Sequence, residues 1–163
     1  MEVRPIRPEE HDEAGRVTRH AYDEFVDPAD SGWGGYLEEI GNVAGRATRV
    51  PVLVAVTDGR VIGSASLETE EASLGDDPIE PGTANVRMLG VDPEARGRGA
   101  GRALLGACIA EARRRGKRAV TLHTTEDMHA ALALYVSAGF VRDPGRDWKV
   151  DESFTLTAYR LDL

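Results

Sequence analysis

Cysteine is almost absent from this chain: Cys108 stands alone among 163 residues. One thiol can make neither an internal disulfide nor a cysteine-based zinc site. It falls on the apolar face of a helical pattern, where a packed core thiol is the natural reading rather than a nucleophile. Long apolar runs are missing too. Nothing approaches the roughly 20 residues of a membrane-spanning helix, and the opening Met-Glu-Val-Arg-Pro-Ile-Arg has no signal-peptide core. A cytoplasmic protein with no membrane contact is therefore expected. Lysine is scarce as well. Only Lys117 and Lys149 occur, so nearly all the positive charge is arginine. Acidic residues outnumber basic ones 28 to 20, for a net charge of −8. That balance argues against general affinity for nucleic acid, and it is compatible with a cationic partner such as an amine.

The remaining composition, 41% hydrophobic and 29% charged, is that of an ordinary globular chain, and its length suits a single domain over residues 1–163. The basic charge is not spread evenly. Arginines gather at 96–102 and 113–118, an arrangement that an acidic protein with an anionic ligand would need.

The most informative stretch runs from Val86 to Leu105. Val86, Met88 and Val91 are spaced as a strand with one slip in the alternation, and Asp92-Pro93 ends it. A helix follows, with Leu104, Leu105, Cys108, Ile109 and Ala112 on one face. Between them lies Arg96-Gly97-Arg98-Gly99-Ala100-Gly101-Arg102. Glycines at alternate positions leave backbone N–H groups uncovered where a helix begins with its own unpaired donors. Such a turn binds phosphate, and three arginines add charge. Two other phosphate loops are excluded by spacing. G-x-G-x-x-G fails because Arg102 and Leu104 stand where its third glycine would fall, and Gly-Lys-Ser/Thr fails at Gly106-Ala107-Cys108.

Arg96-x-x-Gly99-x-Gly101 resembles the cofactor loop R/Q-x-x-G-x-G/A of the GNAT superfamily of N-acetyltransferases, and the preceding M-L-G-V-D-P-E is similar to that family's central strand. A second stretch, Ala131-x-x-Leu134-Tyr135-x-x-x-Gly139-Phe140, resembles its A-x-x-L-Y-x-x-x-G-F motif. The resemblance implies an α/β GNAT fold, with a mixed, central, splayed sheet and about four helices. It implies acetyl-coenzyme A as co-substrate, with Leu89, Gly90 and Val91 on its pantetheine arm and Arg96, Gly97, Arg98, Gly99, Ala100, Gly101 and Arg102 on its pyrophosphate. Tyr135 would be the general acid for the departing thiolate, its hydroxyl being near a thiol in acidity. Tyr22, Phe25, Trp33 and Tyr36 would wall the acceptor side, the alternative being that they are core aromatics. A homodimer is possible on the same analogy.

The rest of the pattern agrees with that element order. A strand near Val3–Ile6 precedes a helix from Glu9 with Ala14, Val17, Ala21 and Phe25 on its buried face. A second helix covers 33–47, with Gly41 and Gly45 weakening it. Strands over 50–57 and 61–67 flank a hairpin turn at Asp58-Gly59, and 68–82 is an acidic loop that either is solvated or attracts a cationic amine. Strand 118–124, helix 126–138 and strands near 140 and 154–158 complete the chain.

Two positions depart from the resemblance. Met128 stands where many members have a cofactor-contacting asparagine, and Asn85 stands where many have a glutamate base. The base is then sought elsewhere, with His123 first by acidity and Glu126 and Asp127 next. No metal is expected, since the acidic loop lacks calcium-loop spacing. The functional expectation is direct acetyl transfer to a primary amine in a ternary complex. The rivals are a coenzyme A-binding module that acetylates poorly and a protein-binding domain whose glycine loop is only structural.

Overall fold

A computed structural model describes residues 1–27, 32–75, 78–150, 152 and 154–163, without the side chains of 32–34. In chain order the elements are β1 (Glu2–Pro5), α1 (His11–Tyr22), α2 (Gly32–Gly41), α3 (Val43–Ala47), β2 (Val52–Thr57), β3 (Arg60–Thr69), β4 (Thr83–Val91), α4 (Ala100–Arg114), β5 (Ala119–Thr124), α5 (His129–Ser137), β6 (Val141–Arg142), β7 (Trp148–Lys149) and β8 (Thr155–Asp162). The strands form a sheet in the order β1-β2-β3-β4-β5-β8-β6, with β7 paired to β8. Pairing is antiparallel except between β4 and β5, so the sheet is mixed.

The apolar run of β2 is buried on both faces, which explains why it shows no alternation. Leu53 and Ala55 pack with Leu104, Leu105, Cys108 and Ala112 of α4 on one side. Val52, Val54 and Val56 pack with Ala14 of α1 and Val43 of α3 on the other. Asp58 and Gly59 both have positive φ, at 51° and 75°, the backbone that a tight two-residue hairpin demands.

There are five α-helices among the described residues, not about four. The expected second helix is broken at Asn42, whose side chain accepts from Gly45 N at 2.9 Å and caps α3. Glycine at 41 weakens the helix just where a capping asparagine can end it. At α1 the chain approaches α2 so closely that a Cβ on Gly15 would collide with the Gly41 carbonyl. Phe25 is not on the buried face of α1. It follows the helix in a 3-10 turn, Asp23–Phe25, and is half-buried. The first expected helix itself opens with a 3-10 turn at Pro8–Glu10, and the last one begins at His129 rather than Glu126.

Cys108 is fully buried, and burial pushes its thiol up to about 12. Native protein at pH 8 should therefore resist alkylation by iodoacetamide, with modification of Cys108 appearing in the mass spectrum only after denaturation.

Several carboxylates are held down by direct ion pairing. Arg4 holds Glu10 at about 2, Lys117 holds Glu70 at about 2 and Arg114 holds Glu111 at about 2. Because the folded values lie below the ordinary value of 4.5, their stabilisation is complete above that pH and is lost as pH falls from there towards 2. The melting temperature should drop across this window, and Glu10→Gln should flatten the drop while lowering stability at neutral pH.

Candidate active site

β4 and β5 pair only from Thr83 to Val86, opposite Ala119 to Leu122. Beyond Val86 they part. The cause lies on the other edge of β4, where Ser64 pairs with Gly90 but Ser66 pairs with Arg87, so β4 contains one residue more than its partner. Met88 takes φ +52° within that step. An extra residue bends a strand and increases its twist. The slip in the sequence alternation thus corresponds to a β-bulge. The gap is the floor of a cleft of about 1870 Å³.

Leu89, Gly90 and Val91 all line this cleft. The Tyr22 hydroxyl donates to the Leu89 carbonyl at 3.3 Å, and Arg96 Nε donates to the Val91 carbonyl at 3.4 Å. In antiparallel strands the N–H and C=O of one residue face the same way. Leu89 and Val91 therefore turn their N–H groups to the open edge, while Gly90 faces Ser64 on β3.

The glycine loop enters α4 at one end of the cleft. Gly97 and Gly99 have φ of +75° and +83°. No atom lies within 4 Å of a Cβ built at either, so backbone conformation, not space, calls for glycine; another residue would add about 1–2 kcal/mol of strain. Gly99 caps α4, and the first helical bond there runs from Ala103 N to the Gly99 carbonyl at 2.9 Å. The N–H groups of Ala100, Gly101 and Arg102 precede it and are free for an anion. Gly101 packs against Leu134 of α5, and Ala100 is buried. Arg98 and Arg102 are exposed and form no ion pair among the described residues, although Arg98 does not line the cleft. Arg96 differs. It pairs with Glu24 at 2.5 Å and donates to the Ala21 carbonyl at 3.1 Å, strapping the end of α1 to this loop.

Tyr135 also lines the cleft and is 7% exposed, packed near Cys108 and Phe140. Burial, with a smaller contribution from Cys108, pushes its phenol up to about 12. It is therefore always protonated, but it is no longer near a thiol in acidity.

His123 lines the cleft too, with Nε2 2.8 Å from the Arg146 carbonyl. Since a carbonyl only accepts, that nitrogen carries a proton. Tyr22, Tyr36 and Phe25 line the cleft as well, and burial raises the phenols of Tyr22 and Tyr36. The side chain of Trp33 lies outside the described residues. Met128 lines the cleft, whereas Glu126 and Asp127 are exposed beside it.

Asn85 is buried between two strands. Its Oδ1 accepts from Thr121 at 3.1 Å, and its Nδ2 donates to Glu68 at 3.0 Å. Sequence reasoning missed Glu68 by assigning it to the acidic loop. It belongs to β3, directly opposite Asn85. It also missed Arg87, whose guanidinium stands 3.7 Å from Glu68 and 4.0 Å from Glu39. Counting alternation onward from Ala65 and Leu67 would have extended the strand to Thr69. The loop beyond is not a free acidic collar. Lys117 binds Glu70 and Glu71, each at 2.9 Å, while Arg118, Arg146 and Arg160 converge on Glu80. Asp76 and Asp77 lie outside the described residues. Among the described residues no cluster could hold a metal ion, and no helix is long and apolar enough to cross a membrane.

Comparison with known proteins agrees with this geometry. The sequence profile of the acetyltransferase (GNAT) family matches residues 3–140. A mycothiol acetyltransferase of Clavibacter michiganensis subsp. michiganensis is 33% identical over 149 residues, covering 88% of this chain but 37% of that protein. The chain spans only 18% to 37% of the length of such relatives. Among solved structures, PaiA N-acetyltransferase of Thermoplasma acidophilum, in complex with coenzyme A, superposes with a TM-score of 0.77 at 16% identity, over 99% of this chain and 98% of that one. YncA of Salmonella typhimurium, a putative acetyltransferase with its cofactor acetyl-CoA, gives 0.65 at 25% identity, over 99% and 92%. The bulged central strand, the glycine loop at the head of α4 and the profile over most of the length place this chain in the GNAT acetyltransferase family.

Proposed function

We propose that the chain transfers the acetyl group of acetyl-coenzyme A to a primary amine by direct attack in a ternary complex. The observation that carries this reading is one cleft that joins an anion-binding helix start, an open strand edge and a buried, protonated phenol. The N–H groups of Ala100, Gly101 and Arg102, with Arg98 and Arg102 nearby, suit a diphosphate. The open edge at Leu89–Val91 suits the amide-bearing pantetheine arm, and its N–H groups suit a thioester oxygen that gains charge during attack. Tyr135 supplies a hydrogen bond to the departing sulfur. Full transfer to a thiolate of ordinary acidity, near 8.5, is uphill from a phenol at about 12. Tyr135 therefore works by stabilising the sulfur charge as it forms and giving up its proton only as another refills it.

The second reading, a domain that holds coenzyme A but acetylates poorly, is favoured by Asn85 and Met128 in place of polar family residues. Thiol release from acetyl-coenzyme A across an amine panel, with a mycothiol-type acceptor included because of the relatives' name, separates the two. Stabilisation by coenzyme A without thiol release supports the binding module. No stabilisation removes both.

Tyr135→Phe should lower kcat by about 10²-fold or more while the coenzyme A dissociation constant, read by calorimetry, changes little. Equal loss of both would make Tyr135 a binding residue. Arg98→Ala and Arg102→Ala should weaken coenzyme A binding, and the difference from the parent protein should shrink as salt is raised from 50 to 500 mM.

A further inference from the structure

Attack on a thioester requires an amine with a free lone pair, and an amine in neutral water is mostly ammonium. The group that removes its proton must face the cleft, be shielded from bulk water and keep an oxygen open to the amine. Most carboxylates of the cleft fail that condition. Glu24 is paired with Arg96, Glu80 with three arginines, Asp143 with Arg146 and Asp147 with Arg142. Glu39 is 44% exposed and solvated.

Glu68 also has a cation beside it, Arg87 at 3.7 Å, but its side chain is far more buried than any of these. Its side chain is only 4% exposed, yet it lines the cleft. Its two oxygens have separate duties. Oε1 accepts from Leu74 N at 2.7 Å and faces Arg87 at 3.7 Å. Among the described residues Oε2 accepts only the Asn85 amide, at 3.0 Å, which leaves a lone pair for a second donor. The Asn85 amide cannot turn round, because a flipped Oδ1 would meet the acceptor-only Glu68 carboxylate, whereas the Thr121 hydroxyl can donate or accept. Asn85 and Glu68 are register partners on neighbouring strands, so a carboxylate at both positions would set like charges about 3 Å apart, of which only one could ionise. The pair has room for one carboxylate, and in this chain β3 carries it.

We propose that Glu68 holds the acceptor's ammonium group at Oε2 and takes its proton, with Asn85 fixing the carboxylate in place. The inference rests on the acetyltransferase reading above. One N–H proton passes from the ammonium to Glu68. The freed nitrogen lone pair forms the C–N bond, the C–S bond breaks, and its electron pair stays on sulfur. The sulfur takes a proton through Tyr135, which regains one from the second nitrogen proton by way of solvent. Glu68 returns its proton to water, and one proton is released per turnover.

The charged and titratable groups around this point are Arg87 and Glu39 flanking it, Tyr22 from α1, Tyr36 from α2, Arg46 from α3 (bonded to Ser66 on β3), Arg49 (bonded to the Leu74 carbonyl) and His123 on β5. Arg87 places a positive charge 3.7 Å from Oε1.

The test is the pH profile of kcat/KM for the amine in the parent protein, in Glu68→Gln and in Glu68→Gln/Asn85→Asp, which moves the carboxylate across the hydrogen bond. Coenzyme A binding is measured on all three to show that they fold. At pH 7 Glu68→Gln should lose about 100-fold, and the loss should shrink as pH rises towards the amine's own pKa, where solvent supplies the free base. The double variant should recover at least tenfold. Amine affinity for the enzyme–coenzyme A complex, read by calorimetry, should fall about tenfold in Glu68→Gln. An unchanged pH profile, a uniform loss at every pH, or the same pH-dependent loss in His123→Gln with Glu68→Gln unaffected would overturn the role of Glu68 and leave the acetyltransferase reading standing. Absence of turnover in the parent protein with every amine would overturn both.

Discussion

The site depends on strand pairing that stops early. Two parallel strands that stay paired satisfy one another's backbone groups and leave no space between them. Here β4 contains one residue more than β3 allows, bends away, and leaves β5 after Val86. The cleft, the open edge of Leu89 and Val91 and the depth at which Tyr135 sits all follow from that extra residue. So does the buried pairing of Asn85 with Glu68, which lies in the last stretch of regular sheet before the strands part.

Charge in the protein divides by task. Several arginines are tied to carboxylates that hold loops to the sheet. Glu80 draws Arg118, Arg146 and Arg160 together from three parts of the chain, and Lys117 does the same for Glu70 and Glu71. Exposed pairs of this kind add little individually, but they fix which loops border the cleft. Among the described residues Arg98 and Arg102 have no such commitment, and they stand beside the unpaired donors of α4. Arg96, although it belongs to the same sequence motif, serves the first task through Glu24 and the Ala21 carbonyl. One motif therefore holds arginines of both kinds.

The parts of the site that were legible in the sequence are those set by local backbone rules. Gly97 and Gly99 announce positive φ, Asp92-Pro93 ends a strand, and the spacing of Leu104, Leu105 and Cys108 marks the inner face of α4. What was not legible depends on partners far along the chain. Nothing in A-S-L-E-T-E-E says that Glu68 remains in β3 while Glu70 turns out to Lys117, because the difference lies in what β4 and the α4–β5 turn bring opposite them. The commitment of Arg96 to Glu24 spans 72 positions and could not be inferred from spacing. The helix break at Asn42 was half legible: glycine marked the weakness, but the cap that uses it is a tertiary choice.

Met88 has a consequence of a different kind. It holds a left-handed backbone that a β-strand residue would ordinarily avoid, and its buried side chain packs with Leu37 and Ile40 of α2. That packing ties the bulged residue to α2. α2 is a short helix with glycine at 32, 34, 35 and 41, a composition that lowers its intrinsic stability. Local opening of α2 would free Met88 and let the strand edge relax while the rest of the sheet stayed folded. The ligand-competent edge is then only as populated as α2 is closed, and the apparent affinity for a ligand along β4 is the intrinsic affinity scaled by that fraction. Binding along β4 and closure of α2 become a single equilibrium, which a hydrogen-exchange measurement on α2 would read directly.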